Sequence, residues 1–161
     1  MSLQVLLIRH ATAEVLPNQV DKDRALTKEG RTNMKQYVST VKKFVDDIDY
    51  LVSSPLLRAV QTADIVYQTY SKAKREVLPS LADGQLALTL KYLQENAARN
   101  TLVALVGHEP TLGELGTLLL TGQAATWMPM KKGGMCLLNF EDKIEVGQAT
   151  LRWLLMPKIM R

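Results

Sequence analysis

Leu3-Gln4-Val5-Leu6-Leu7-Ile8 is a short, almost unbroken apolar run, and Arg9-His10 follows it directly. Its length suits a strand. Its lack of polar alternation reads as a strand buried on both faces, as in a parallel sheet. Residues 101–106 (Thr-Leu-Val-Ala-Leu-Val) have the same character, and Gly107-His108-Glu109-Pro110 ends them. Residues 50–54 read as another short strand, and 76–78 as a further one. Helical patterns fill the gaps. Thr27 is placed to cap a helix whose start Glu29 favours, and Met34, Tyr37, Val38, Val41 and Val45 share one helical face. Pro55 is expected at the first position of the next helix, with Ala59, Thr62, Ala63 and Val66 at three- and four-residue spacing. Residues 86–98 and 112–120 read as two more. Such alternation predicts an α/β fold: a three-layer sandwich with a mostly parallel central sheet flanked by helices. Residues 135–140 and 150–155 read as two strands around a charged turn, so an antiparallel edge is expected. With no repeat, low-complexity block or linker, one domain over residues 1–161 is expected.

Composition narrows the function. The 161 residues are 47% hydrophobic and 22% charged, an ordinary globular balance. The net charge of +4 helps steer anions. The basic residues are scattered and accompany no groove-reading motif, so no nucleic-acid partner is expected. Cys136 is the single cysteine and lies in the apolar run Met135-Cys136-Leu137-Leu138, which suits a core residue in a reducing compartment. No signal-peptide pattern and no apolar run of membrane-spanning length occur. A cytoplasmic protein without membrane association is expected. Trp127, Met128 and Met130 are candidates for an exposed contact patch, or for packing against the domain.

The chain has two histidines, His10 and His108, and each stands at the C-terminal end of an expected buried strand. Ligands of open α/β sheets bind beyond those strand ends. Residues 53–58 (Ser-Ser-Pro-Leu-Leu-Arg) follow a strand to the same edge. One rim therefore gathers Arg9, His10, Arg58 and His108. Arginine forks match phosphate oxygens and stay charged. Neutral imidazole is a competent nucleophile towards phosphorus. The second histidine and the arginines can stabilise charge on the transferred oxygens. Paired histidines also suggest a metal, but two neighbouring cations oppose one, and no carboxylate–histidine ligand spacing is visible.

Leu7-Ile8-Arg9-His10-Ala11-Thr12-Ala13 resembles the signature of the histidine phosphatase superfamily, which includes phosphoglycerate mutases and acid phosphatases. Ala11 stands where glycine is commonest. Arg-His-Ala-x-Ala is similar to the branch of small bacterial SixA-type phosphohistidine phosphatases. Residues 23–30, 53–63 and 106–112 resemble the family's other motifs in the same order, and so does the tail from Lys132 to Lys158. The resemblance covers essentially the whole chain. It implies that His10 is the nucleophile, that Arg9, Arg58 and His108 bind the phosphoryl group, that water hydrolyses a phosphohistidine intermediate, and that no metal or organic cofactor is needed. Many members supply a carboxylic acid after the third strand. Residues 78–84 lack that pattern. Asp83 and Glu109 are the candidate proton donors, although Asp83-Gly84 also reads as a turn and Glu109 as a carboxylate near a helix N-terminus. SixA-type enzymes lack the acid too, and imidazole leaves phosphorus more readily than an alkoxide does. The expected substrate is therefore phosphorylated, with a histidine-phosphorylated protein as the leading reading. The rivals are a small-molecule phosphomonoesterase and a phosphate-binding adaptor.

Overall fold

The computed structural model describes residues 2–160. Six strands form one sheet: β1 (Leu3–Arg9), β2 (Tyr50–Ser53), β3 (Lys74–Val77), β4 (Leu102–Gly107), β5 (Met135–Phe140) and β6 (Thr150–Leu155), in the order β3-β2-β4-β1-β5-β6. β1, β2, β3 and β4 pair in parallel, while β5 pairs antiparallel with β1 and with the edge strand β6. The helices are α1 (Lys28–Val41), α2 (Leu57–Thr69), α3 (Ser80–Asp83), α4 (Leu86–Asn96), α5 (Thr111–Thr121) and α6 (Pro157–Met160).

Side chains alternate across the sheet, so each central strand feeds two cores. Leu6 and Ile8 of β1 join Ala104 and Val106 of β4 under α1 and α2, with Met34, Tyr37, Val38, Ala63 and Val66. Val5 and Leu7 join Val103 and Leu105 on the other face, under α3, α4 and α5, with Leu81, Leu93, Leu112 and Leu115. This is the three-layer α/β arrangement that the alternation predicts. Cys136 is a buried member of the second core, and burial pushes its thiol up to about 12.

Several local expectations shift. Thr27 does cap α1, its side chain accepting from the Gly30 amide at 2.9 Å. That helix ends at Val41, and Val45 is buried from the turn beyond it. Pro55 is not the first helical residue: α2 begins at Leu57 with Leu56 as its cap. The Leu56 amide instead donates to Ser54 Oγ at 3.1 Å, which holds residues 54–56 outside the helix. The short third strand is Lys74–Val77, paired with β2, and α4 stops at Asn96. Met128 and Met130 are packed inside while Trp127 is 66% exposed, so these three form no common patch.

The start of α1 is docked on the segment after β1. Thr27 donates its amide to the Thr12 carbonyl at 3.0 Å, and a Cβ added at Gly30 would collide with that carbonyl oxygen. Backbone on backbone leaves no flexible side chain to yield. Gly30→Ala should therefore lower unfolding free energy by about 1–3 kcal/mol, read by urea denaturation. An unchanged midpoint would show that this contact is not close-packed.

Candidate active site

Register places the two histidines side by side. β1 and β4 are adjacent and parallel, with Arg9 opposite Gly107. The next residues in the two chains are His10 and His108, and the His10 amide donates to the Gly107 carbonyl at 3.0 Å. Their ring centroids lie 5.1 Å apart. β1 leads to α1 on one face and β4 leads to α5 on the other, so the sheet opens a crevice between these strand ends. β2 lies on the far side of β4 and delivers Ser54, whose amide donates to the Val106 carbonyl at 3.0 Å. Arg58 stands in the first turn of α2. His10, Ser54, Arg58 and His108 are all buried, and Arg9 is partly so. The structure thus brings together the four residues singled out from sequence.

Each arginine is held from its distal end. Arg9 Nη1 donates to the Met130 carbonyl at 2.7 Å. Arg58 Nη1 donates to the Asp21 carbonyl at 2.9 Å, and Nη2 to Asp21 Oδ2 at 3.2 Å. The Nε of both arginines and His108 Nδ1 are buried with no hydrogen-bond partner among the described residues. A buried unsatisfied donor costs about 1–3 kcal/mol, so native proteins rarely gather several. Unsatisfied guanidinium nitrogens gathered beside two imidazoles suit an anion that accepts from all of them.

The loop that follows β1 is braced. The Ala11 amide donates to Thr62 Oγ1 at 3.1 Å, and that hydroxyl donates to the Arg58 carbonyl at 2.7 Å. The Gly133 amide donates to the carbonyls of both Arg9 and His10, at 3.1 and 3.0 Å. His10 Nδ1 lies 2.7 Å from the Ala11 carbonyl oxygen. A carbonyl only accepts, so Nδ1 carries the proton in the neutral ring and Nε2 keeps the free lone pair. Burial lowers His10 to about 3; the Ala11 bond opposes it, and the nearness of His108, Arg58 and Arg9 adds to the lowering. Burial, then Arg58, lowers His108 to about 4, with Asp21 opposing. Both rings are neutral near pH 7.

The two candidate acids differ in placement. Asp83 is exposed at the end of α3, and Gly84 follows at φ 70°, as the turn reading of Asp-Gly requires. It borders a surface groove of about 380 Å³ with Leu78, Leu88 and Lys91. Glu109 is half-buried beside His108. Burial raises its carboxyl, while the Met130 and Gly113 amides and Arg9 act in the opposite direction. Asp21, Ser54, Thr62, Met130 and Gly133 were not singled out as site residues by the sequence reading. Ser54 and Thr62 did lie within the quoted Arg58 motif. Asp21 opens a run of four charged residues, Asp21 to Arg24, in which residue type singles out none, and the Met130 and Gly133 contacts are backbone groups, which residue type does not reveal. No group of three or more His, Cys, Asp or Glu among the described residues is arranged to hold a metal ion.

The model of the histidine phosphatase superfamily (branch 1) matches residues 5–89, more than half of the chain. The chain belongs to that superfamily. It is 32% identical to an uncharacterised protein of Picosynechococcus, over 83% of this chain and 82% of the other. It is 29% identical to the phosphohistidine phosphatase SixA of Escherichia coli, over 96% and 94%. Among solved structures, the protein histidine phosphatase SixA complexed with tungstate superposes with a TM-score of 0.80 at 25% identity, covering 99% of this chain and all of that one. A putative α-ribazole-5′-P phosphatase from Escherichia coli shares the fold, with a TM-score of 0.77 at 17% identity and 96% and 98% coverage. Superfamily members are phosphatases. No helix among the described residues is long and apolar enough to cross a membrane.

Keeping this histidine phosphatase's rings neutral has a stability consequence. Below pH 6.5 the unfolded chain binds protons that the folded rings refuse, so stability falls as pH drops from 6.5 towards about 3 for His10. His10→Asn should flatten the plot of unfolding free energy against pH by up to about 1.4 kcal/mol per unit in that window. Parallel plots for the two proteins would mean that His10 is protonated in the fold.

Proposed function

We propose that this chain is a metal-independent phosphatase that carries the transferred phosphoryl group on His10, and that its substrate is a phosphohistidine on a protein. The observation that carries the chemistry is the His10 ring itself: Nδ1–H is fixed on the Ala11 carbonyl, leaving Nε2 free beside Arg9, Arg58 and His108. In the first step the Nε2 lone pair bonds to phosphorus while the bond from phosphorus to the substrate's ring nitrogen breaks, and that ring, protonated on its other nitrogen, takes the bonding pair and leaves as neutral imidazole. The arginines and His108 take the charge on the phosphoryl oxygens. In the second step water bonds to phosphorus, the P–Nε2 bond breaks, the water proton passes to solvent or phosphate, and His10 returns neutral. The two guanidiniums supply the positive charge that a metal would otherwise bring.

The substrate class rests on the leaving group. An alkoxide needs a strong acid beside it, whereas imidazole leaves readily. Asp83 is exposed, and the Met130 and Gly113 amides and Arg9 oppose the effect of burial on Glu109. The likeness to SixA, named as a phosphohistidine phosphatase, points the same way. A second reading, a small-molecule phosphomonoesterase, is favoured by one feature: the raised carboxyl of Glu109 next to His108. A phosphate-binding adaptor would not need the free Nε2. A cytoplasmic setting fits the single cysteine.

The deciding measurement is the ratio of kcat/KM on a histidine-phosphorylated protein to that on an alkyl phosphate, with chelator present. A large ratio is expected. A ratio near one would remove the phosphohistidine assignment, and collapse in chelator reversed by added metal would remove metal independence. His10→Ala should abolish turnover and acid-labile labelling of the enzyme by phosphate; near-native activity would refute the nucleophile. Arg58→Ala should cost about 3–4 kcal/mol of transition-state stabilisation, the scale of a lost donor in oxyanion sites, read as kcat. An unchanged kcat would take Arg58 out of the site.

A further inference from the structure

We infer that Ser54 is a positioning residue that sets the tautomer of His108, donating its hydroxyl proton to His108 Nε2 so that Nδ1–H is left for the phosphoryl group. Ser54 is fully buried at the end of β2, and its Oγ lies 2.7 Å from His108 Nε2. The same oxygen accepts the Leu56 amide at 3.1 Å. A serine hydroxyl offers one proton and two lone pairs. One lone pair is committed to Leu56. If His108 were protonated at Nε2, that N–H would take the second lone pair. The hydroxyl proton would then need another acceptor, and among the described residues none other is in hydrogen-bond contact with Oγ. Donation from Ser54 to Nε2 satisfies every group. It makes Nδ1 the protonated nitrogen, and Nδ1 is the ring atom left buried without a partner.

The alternative tautomer would turn a lone pair towards phosphoryl oxygens, which repels them. The two histidines thus hold their proton on the same nitrogen for opposite uses. In His10, Nδ1–H is spent on a carbonyl and frees a nucleophile; in His108, Nε2 is spent on a hydroxyl and frees a donor. The Leu56 bond links this setting to α2. Residues 54–56 stay out of the helix because Ser54 Oγ engages the Leu56 amide, so one turn orients Ser54 and begins the helix bearing Arg58.

The use of Nδ1–H rests on the phosphoryl-transfer reading, but the tautomer can be read without activity. The chain has two histidines, so the ring-nitrogen spectrum of ¹⁵N-histidine-labelled protein is simple, and His10→Asn assigns it. At pH 7, His108 should show a protonated Nδ1 and a bare Nε2. Ser54→Ala should mix the two tautomers and lower kcat by about 10- to 100-fold, short of the 10²–10³ for losing an oxyanion donor outright, with KM changing less. A protonated Nε2 in the native protein overturns the proposal, even if the variant fails to fold. A lowered kcat with the tautomer unchanged also overturns it, leaving Ser54 a packing residue. The expected tautomer in a protein that never labels at His10 would uphold Ser54 and overturn the phosphatase mechanism instead.

Discussion

The pairing of β1 with β4 is the constraint on which the site depends. Two strands distant in sequence lie parallel with Arg9 opposite Gly107, so the residues leaving their ends are neighbours. A slip of one position would turn His108 to the other face of the sheet. The register is held because both strands are buried on both faces. Leu6 and Ile8 belong to one core, Val5 and Leu7 to the other, and a slip would exchange them. The hydrophobic effect that stabilises the fold thereby fixes the distance between two imidazoles.

Burying positive charge is expensive, and this site meets the cost unevenly. Arg58 has one carboxylate, Asp21, whose side chain is itself 66% exposed and screened by water. Arg9 has a backbone carbonyl and the more distant charge of Glu109. The histidines contribute by staying neutral. The guanidiniums are anchored without being neutralised, and their Nε atoms are left over. Full pairing would have been quieter electrostatically and less useful to an incoming anion.

Much of this was legible in the sequence because it rests on patterns that survive without coordinates. The unbroken apolar runs of β1 and β4 announced a parallel sheet, and residues that follow such strands share an edge. His10, His108, Arg9 and Arg58 were found that way. The start of α2 was misplaced because proline's preference for the first helical position was overridden by a local side-chain bond, Ser54 to the Leu56 amide. The end of α1 was overrun because Val45 is buried like its helical neighbours although it lies in a turn. The braces at Met130 and Gly133 use main-chain atoms, which carry no residue signature. Which nitrogen of His10 keeps its lone pair could not be read until the Ala11 carbonyl was placed.

The lone thiol, Cys136, is packed deep on β5 and held far from ionisation. Oxidants attack thiolates, and little thiolate exists at such a position near neutrality. The side chains gathered at the site are imidazoles and guanidiniums, which do not climb the sulfur oxidation ladder. A phosphatase built on a cysteine nucleophile is switched off by peroxide at the atom that does its work. On the proposed mechanism the reactive atom is a nitrogen and the thiol lies out of reach, so that chemistry is insulated from the redox state around it.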